Sequence, residues 1–147
     1  MTSSANLVAL LKEHEGLRLK PYLCPADVPT VGFGTTVYPD GKRVTLADNA
    51  ITEGQAEEFL CHDLKRFEAA VNSIKVVLTQ NQYDALVSFT YNVGATAFKN
   101  STLAKKVRVN PGDESIRNEF NKWVNGGGKK LPGLVRRRAD EANLFFT

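Results

Sequence analysis

At 147 residues, 42% of them hydrophobic, the chain is long enough for one domain with a buried core and two lobes, and too short for two independent domains. Its net charge of +3 hides an asymmetry: residues 1–98 carry 8 Lys/Arg against 11 Asp/Glu, and residues 99–147 carry 11 against 5, so the C-terminal third attracts polyanions in general unless it is merely a solvated charged face. With no long apolar run, no export signal in MTSSANLVAL and only Cys24 and Cys61, the chain reads as free of a signal peptide, of stable membrane insertion and of a disulfide scaffold.

Leu7, Leu10, Leu11 and Leu17 share one helical face, and that first helix finishes at Glu15 and Gly16, a residue suited to a left-handed cap. Pro21, Pro25 and Pro29 prevent a second helix, and Thr30, Val31, Gly32, Phe33, Gly34 and Thr35 read as a strand whose glycines permit close backbone approach. A turn over Tyr38, Pro39, Asp40 and Gly41 leads to a return strand at residues 43–46. The expected product is a Gly-rich β-hairpin forming one wall of a cleft.

Thr52 and Gln55 make a capping box that opens a long helix with Ala56, Phe59, Leu60, Leu64, Phe67, Val71 and Ile74 on its buried face. Cys61 and His62 fall off the centre of that stripe and read as structural or surface residues, because further metal ligands at suitable spacing are missing. Thr79 and Gln82 make a second box, and the helix that follows is apolar on nearly all sides, as a helix central to a bundle would be. Asn92 is its polar exception, either satisfying a backbone group or facing a substrate.

Asn100, Ser101 and Thr102 offer caps for a short helix through Val107, ended by Asn110, Pro111 and Gly112. Asp113 caps a helix carrying Ile116, Phe120, Trp123 and Val124, stopped by Gly126, Gly127 and Gly128; Trp123 reads as core rather than as a sugar platform. The GGGKK run lacks the spacing of a phosphate-binding loop. A last helix follows Pro132 and Gly133, with Val135, Ala139, Ala142 and Phe146 as one candidate buried face. Arg136, Arg137 and Arg138 cannot all face one way, so at least one turns toward the core unless the triplet is wholly solvated. The fold class is α+β, predominantly helical: a small β-containing lobe over about residues 15–50, a connecting helix over about 53–75 and a helical lobe over about 79–147.

Glu15 stands by the negative end of the first helix dipole, which favours the protonated carboxyl that general acid catalysis requires; the plainer reading is a solvated helix-end charge. Cys24 follows after eight intervening residues and Thr30 after five more. This run resembles the catalytic triad of the phage-type lysozymes, glycoside hydrolase family 24, in which the middle member is usually aspartate and cysteine is a known variant. The TVGFGTT run resembles that family's hairpin, residues 81–103 its central helix and following turn, and residues 132–144 its C-terminal helix.

The resemblance implies a lysozyme-like two-lobed fold in one domain over residues 1–147, with Glu15, Cys24 and Thr30 catalytic and no metal or cofactor. It further implies Asn92 near the catalytic glutamate, with Gly32 and Phe33, as substrate-binding residues, and Arg137 as the ion-pair partner of Glu15. An aspartate is ionised at neutral pH, whereas an ordinary thiol, pKa about 8.5, is mostly protonated. Cys24 therefore has three readings: a thiolate base or stabilising anion, a covalent nucleophile, or a polarizable placeholder. Asp27 is the nearest alternative carboxylate, and without the family spacing Cys24 reads as a small hydrophobe packed under the hairpin.

The implied function is that of an endolysin: a monomeric muramidase held in the host cytoplasm, reaching periplasmic peptidoglycan through a holin-type lesion. Alternatives are a secretion- or tail-delivered lysozyme, a lytic transglycosylase, and a non-enzymatic basic wall-binding module. Nothing resembles a helix-turn-helix, zinc finger or aromatic-basic strand, so no nucleic-acid partner is expected.

Overall fold

The computed structural model describes residues 1–147. In chain order the elements are α1 (Ala5–Glu15), β1 (Arg18–Leu23), β2 (Pro29–Gly32), α2 (Glu53–Asn72), α3 (Gln80–Val93), α4 (Ala95–Asn100), α5 (Thr102–Val109), α6 (Ile116–Asn121), β3 (Asn125–Gly126), β4 (Lys129–Lys130) and α7 (Pro132–Phe145). The fold is α+β and predominantly helical, as the sequence implied. It comprises two compact units, residues 8–65 and residues 1–7 with 66–147. No helix is long and apolar enough to cross a membrane.

In the unit of residues 8–65, β1 and β2 pair antiparallel, with Arg18 opposite Gly32, Tyr22 opposite Thr30 and Leu23 opposite Pro29. The register slips between Arg18 and Tyr22, the interval that holds Pro21, whose missing N–H a regular ladder would not tolerate. This corrects the expected hairpin: the strand beginning near Thr30 pairs backward with residues 18–23, not forward with 43–46. The forward pairing is reduced to a Val37–Arg43 bridge flanked by the Val44 N–H to Thr36 carbonyl (2.9 Å) and Tyr38 N–H to Lys42 carbonyl (2.8 Å) bonds. The reason lies in Asp48, whose carboxylate takes the Thr45 N–H (2.9 Å), the Thr45 hydroxyl (2.6 Å) and the Tyr38 hydroxyl (2.7 Å). An amide held by a side chain is lost to a ladder. Val44 alone of that segment's apolar residues is buried, and Leu46 is 53% exposed.

The box opening α2 is formed: Gln55 N–H donates to the Thr52 hydroxyl (3.1 Å) and Thr52 N–H to the Gln55 side chain (2.9 Å). Along the helix Ala56, Leu60, Leu64, Phe67 and Val71 are buried, with Ile74 buried just past its end, while the half-buried Phe59 meets the Tyr38 ring edge-on at 5.5 Å.

In the other unit the second box, Thr79 with Gln82, caps α3, which buries every residue from Tyr83 to Thr90. Phe89 is the hub, with Trp123, Phe120 and Phe98 edge-on at 5.5, 5.6 and 6.3 Å. Asp84, wholly buried, accepts from Ser4 N–H (3.1 Å), the Ser4 hydroxyl and the Gln80 amide (2.9 Å); these bonds tie the first residues to this unit.

The expected short helix is α5, capped by the Ser101 hydroxyl accepting the Ala104 N–H (3.0 Å) and running to Val109, with an unforeseen helix, α4, ahead of it. Two expectations change here. First, α6 stops at Asn121, leaving Trp123 and Val124 beyond it, and the glycines form a β3–β4 hairpin turning on Gly127 (φ 58°) and Gly128 (φ 80°). Second, α7 buries Arg137, Arg138, Glu141, Ala142 and Phe145, while Val135 and Ala139 are exposed. Glu141 draws both guanidiniums inward, at 3.2 Å from Arg137 Nε and 2.7 Å from Arg138 Nε, and this ionic stripe displaces the apolar one.

Candidate functional site

Gly16 ends α1 with φ 68° and an N–H to Lys12 carbonyl bond of 3.3 Å, so Glu15 is the helix's last residue and is half-buried. The chain then enters β1, which delivers Cys24 to the start of a three-residue loop. Cys24 N–H donates to the Val28 carbonyl (3.1 Å) and Asp27 N–H to the Cys24 carbonyl (2.8 Å), with Asp27 at φ 59°. A short loop closed by a left-handed residue is a common hairpin connection, and aspartate tolerates that conformation better than most side chains.

This loop sets the half-buried Cys24 thiol among its own backbone amides. The Val28 N–H, then the Ala26 N–H, hold the thiol below its ordinary value; slight desolvation opposes them, and the Thr30 hydroxyl adds to the lowering. Donors aimed at sulfur favour the thiolate. Thr30, 3% exposed and opposite Tyr22 in the ladder, also donates its hydroxyl proton to the Val28 carbonyl at 2.8 Å. One hydroxyl has one proton, so it serves Val28 or the sulfur, and ionisation of Cys24 favours its turning to the sulfur.

The structure thus places Cys24 and Thr30 on either side of one loop, both donating to the Val28 carbonyl, in the same unit as Glu15, Gly32 and Phe33. Gly32 has φ 70° and is buried against Ala56. Phe33 is 2% exposed, with Lys12 Nζ 5.7 Å from its ring centre. Its ring is therefore a packing element that offers a ligand little surface. Asp27 lies exposed on the loop.

Asn92 and Arg137 belong to the other unit. Asn92 is exposed and lines a depression of about 480 Å³ with Trp123, Asn125, Lys122, Val93 and Leu134. Trp123 therefore both packs on Phe89 and borders this depression, a double role hidden by reading it as core alone. Arg137 is 4% exposed, with its guanidinium on Glu141 and on the Ser88 carbonyl at 3.2 Å. The Val28 and Ala26 amides were also missed, since backbone donors leave no mark in sequence beyond the turn that presents them.

The family described as Phage lysozyme matches residues 12–141, a stretch running through both units. The endolysin of Acyrthosiphon pisum secondary endosymbiont phage 1 is 47% identical over 144 residues, covering 94% of this chain and 93% of that protein. The endolysin of Salmonella phage P22 is 36% identical over 148 residues, covering 100% and 99%. Among solved structures, the endolysin from Escherichia coli O157:H7 phage FAHEc1 superposes with a TM-score of 0.88 at 40% identity, covering 99% of this chain and 93% of that one.

Proposed function

This chain belongs to the phage lysozyme family, and from that premise we propose that Glu15, Cys24 and Thr30 carry its chemistry. It is a glycoside hydrolase, an endolysin-type muramidase whose substrate is bacterial peptidoglycan. The bond opened, between N-acetylmuramic acid and N-acetylglucosamine, needs a proton on the leaving oxygen and a second group on the opposite face of an oxocarbenium-like sugar.

Glu15 supplies the proton. Water held by the Thr30 oxygen attacks the anomeric carbon, and the proton it sheds passes to the Cys24 thiolate. The step leaves Glu15 as a carboxylate and Cys24 as a thiol, and exchange with solvent restores both. What supports this reading is that the Val28 and Ala26 amides shift the Cys24 thiol below its ordinary value, toward the thiolate form that a base requires. Asn92 binds sugar from the depression it shares with Trp123, and in the other unit the Gly32 backbone binds sugar while Phe33 shapes the hairpin. The protein acts as a monomer, waits in the host cytoplasm and reaches the wall through a holin-type lesion.

Clearing of outer-membrane-permeabilised Gram-negative cells tests the assignment. Glu15→Gln abolishes clearing, Cys24→Asp retains it, and Cys24→Ala lowers it by about 10²–10⁴-fold, the span of a lost general base. Near-normal clearing by Cys24→Ala removes the thiol from the mechanism. Direct attack by water yields an inverted anomer by NMR and ordinary reducing ends by mass spectrometry. A retained anomer makes the thiolate a nucleophile, and anhydro-muramyl ends make the enzyme a transglycosylase.

A further inference from the structure

The unit of residues 8–65 contains a second concavity, of about 630 Å³, between the Tyr38–Asp40 turn and α2. Its lining includes the rings of Tyr38 and Phe59, and the Tyr38 hydroxyl is already engaged by Asp48 at 2.7 Å. Around this apolar lining stand charges of both signs: Asp40 and Glu58, and the ammonium of Lys65, with His62 between the two helical charges. Glu58 and Lys65 are exposed and make no ion pair within the chain.

Seven residues apart, Glu58 and Lys65 lie on one helical face, two turns and about 10 Å along the axis. A neutral glycan has nothing for either charge to pair with. A polyanion suits Lys65 and is repelled by Asp40 and Glu58. An extended peptide of about three residues spans the same 10 Å, and its small apolar groups suit the aromatic lining.

We propose that this pocket binds a short peptide bearing an ammonium and a carboxylate about 10 Å apart, and so engages the peptide side chains of peptidoglycan. The ammonium sits toward Glu58 and Asp40, and the carboxylate toward Lys65. The proposal rests on the muramidase reading for its choice of peptide, but not on the catalytic roles of Glu15 and Cys24. Binding here lets the enzyme favour peptide-bearing strands over bare glycan.

The test is a titration of the synthetic tetrapeptide L-Ala-γ-D-Glu-meso-diaminopimelyl-D-Ala into Glu15→Gln protein, followed by backbone amide NMR. Shifts are expected in residues 38–42 and 58–65, and they weaken by about two- to fivefold in affinity in Glu58→Lys and in Lys65→Glu, the range for exposed charge contacts. Shifts confined to other residues, or shifts that follow protein rather than peptide concentration, overturn the proposal. In the otherwise wild-type enzyme, the same two substitutions raise KM on intact peptidoglycan while leaving kcat unchanged. They leave KM unchanged on glycan stripped of peptide by an amidase. Equal effects on both substrates also overturn it. Failure of the wild type to cleave either substrate defeats the muramidase reading instead, and the titration decides the pocket independently.

Discussion

The Thr30 hydroxyl and the Cys24 N–H both donate to the Val28 carbonyl, at 2.8 and 3.1 Å, so one backbone oxygen ties the two residues together. After the Val28 and Ala26 amides, that hydroxyl also holds the Cys24 thiol down, so removing it raises the thiol pKa. In a Cys61→Ala background, the alkylation rate of Cys24 as a function of pH reports this directly. Thr30→Val moves the midpoint to higher pH, and Thr30→Ser leaves it near the parent value. A midpoint indifferent to Thr30→Val means the backbone amides hold the sulfur unaided.

Replacing the base changes the pH at which the enzyme switches on. A base works deprotonated, so the wild-type rate rises with pH through the Cys24 pKa, which lies below the ordinary thiol value because of the Val28 and Ala26 amides and the Thr30 hydroxyl. An aspartate ionises near pH 3.9. The acidic limb of Cys24→Asp therefore falls well below that of the wild type, measured by initial clearing rates in constant ionic strength. Superimposable limbs assign that ionisation to some other group.

What could be read from sequence follows from how local each determinant is. Both capping boxes, Thr52 with Gln55 and Thr79 with Gln82, are formed as expected, because every atom involved lies within four residues. Gly16 likewise adopts its left-handed cap. The partner of β2 was not legible: residues 18–23 contain Pro21 and an irregular burial pattern, while residues 43–46 alternate as a strand does but are claimed by Asp48. On α7 at least one of the three arginines was expected to turn inward, and two do, because Glu141, whose burial no spacing marked, pairs with both. Within the site, the spacing of Glu15, Cys24 and Thr30 was visible, and the amides around the sulfur were not.

Two glycines with the same backbone sign separate conformational strain from steric crowding. Gly16 (φ 68°) has open space where a Cβ would go, whereas at Gly32 (φ 70°) it would meet the Ala56 Cβ at 3.2 Å and its Cα at 3.4 Å. Gly16→Ala costs about 1–2 kcal/mol, the left-handed penalty alone. Gly32→Ala costs that plus a displacement of α2, about 1–3 kcal/mol more for an overpacked contact. Urea unfolding of both variants checks the difference, and equal losses rule out Ala56 as a rigid neighbour.

Glu141 is wholly buried between two guanidiniums, with the Ser88 hydroxyl at 2.5 Å. Burial pushes its carboxyl up, and Arg138, Arg137 and the Ser88 hydroxyl oppose that. A neutral residue here leaves Arg137, 4% exposed, and Arg138, wholly buried, without their shared anion. Removing one partner from a buried ion cluster costs about 3–5 kcal/mol because the remaining charges stay desolvated. Glu141→Gln is the sharper test, since it keeps the size and one hydrogen-bond acceptor and removes only the charge. Arg136→Ala, an exposed neighbour on the same helix, is the control and changes stability by less than about 0.5 kcal/mol. If unfolding curves show Glu141→Gln within about 1 kcal/mol of the parent, the guanidiniums find other acceptors, with the Ser88 carbonyl at 3.2 Å from Arg137 and the Trp123 carbonyl at 3.5 Å from Arg138 already in place.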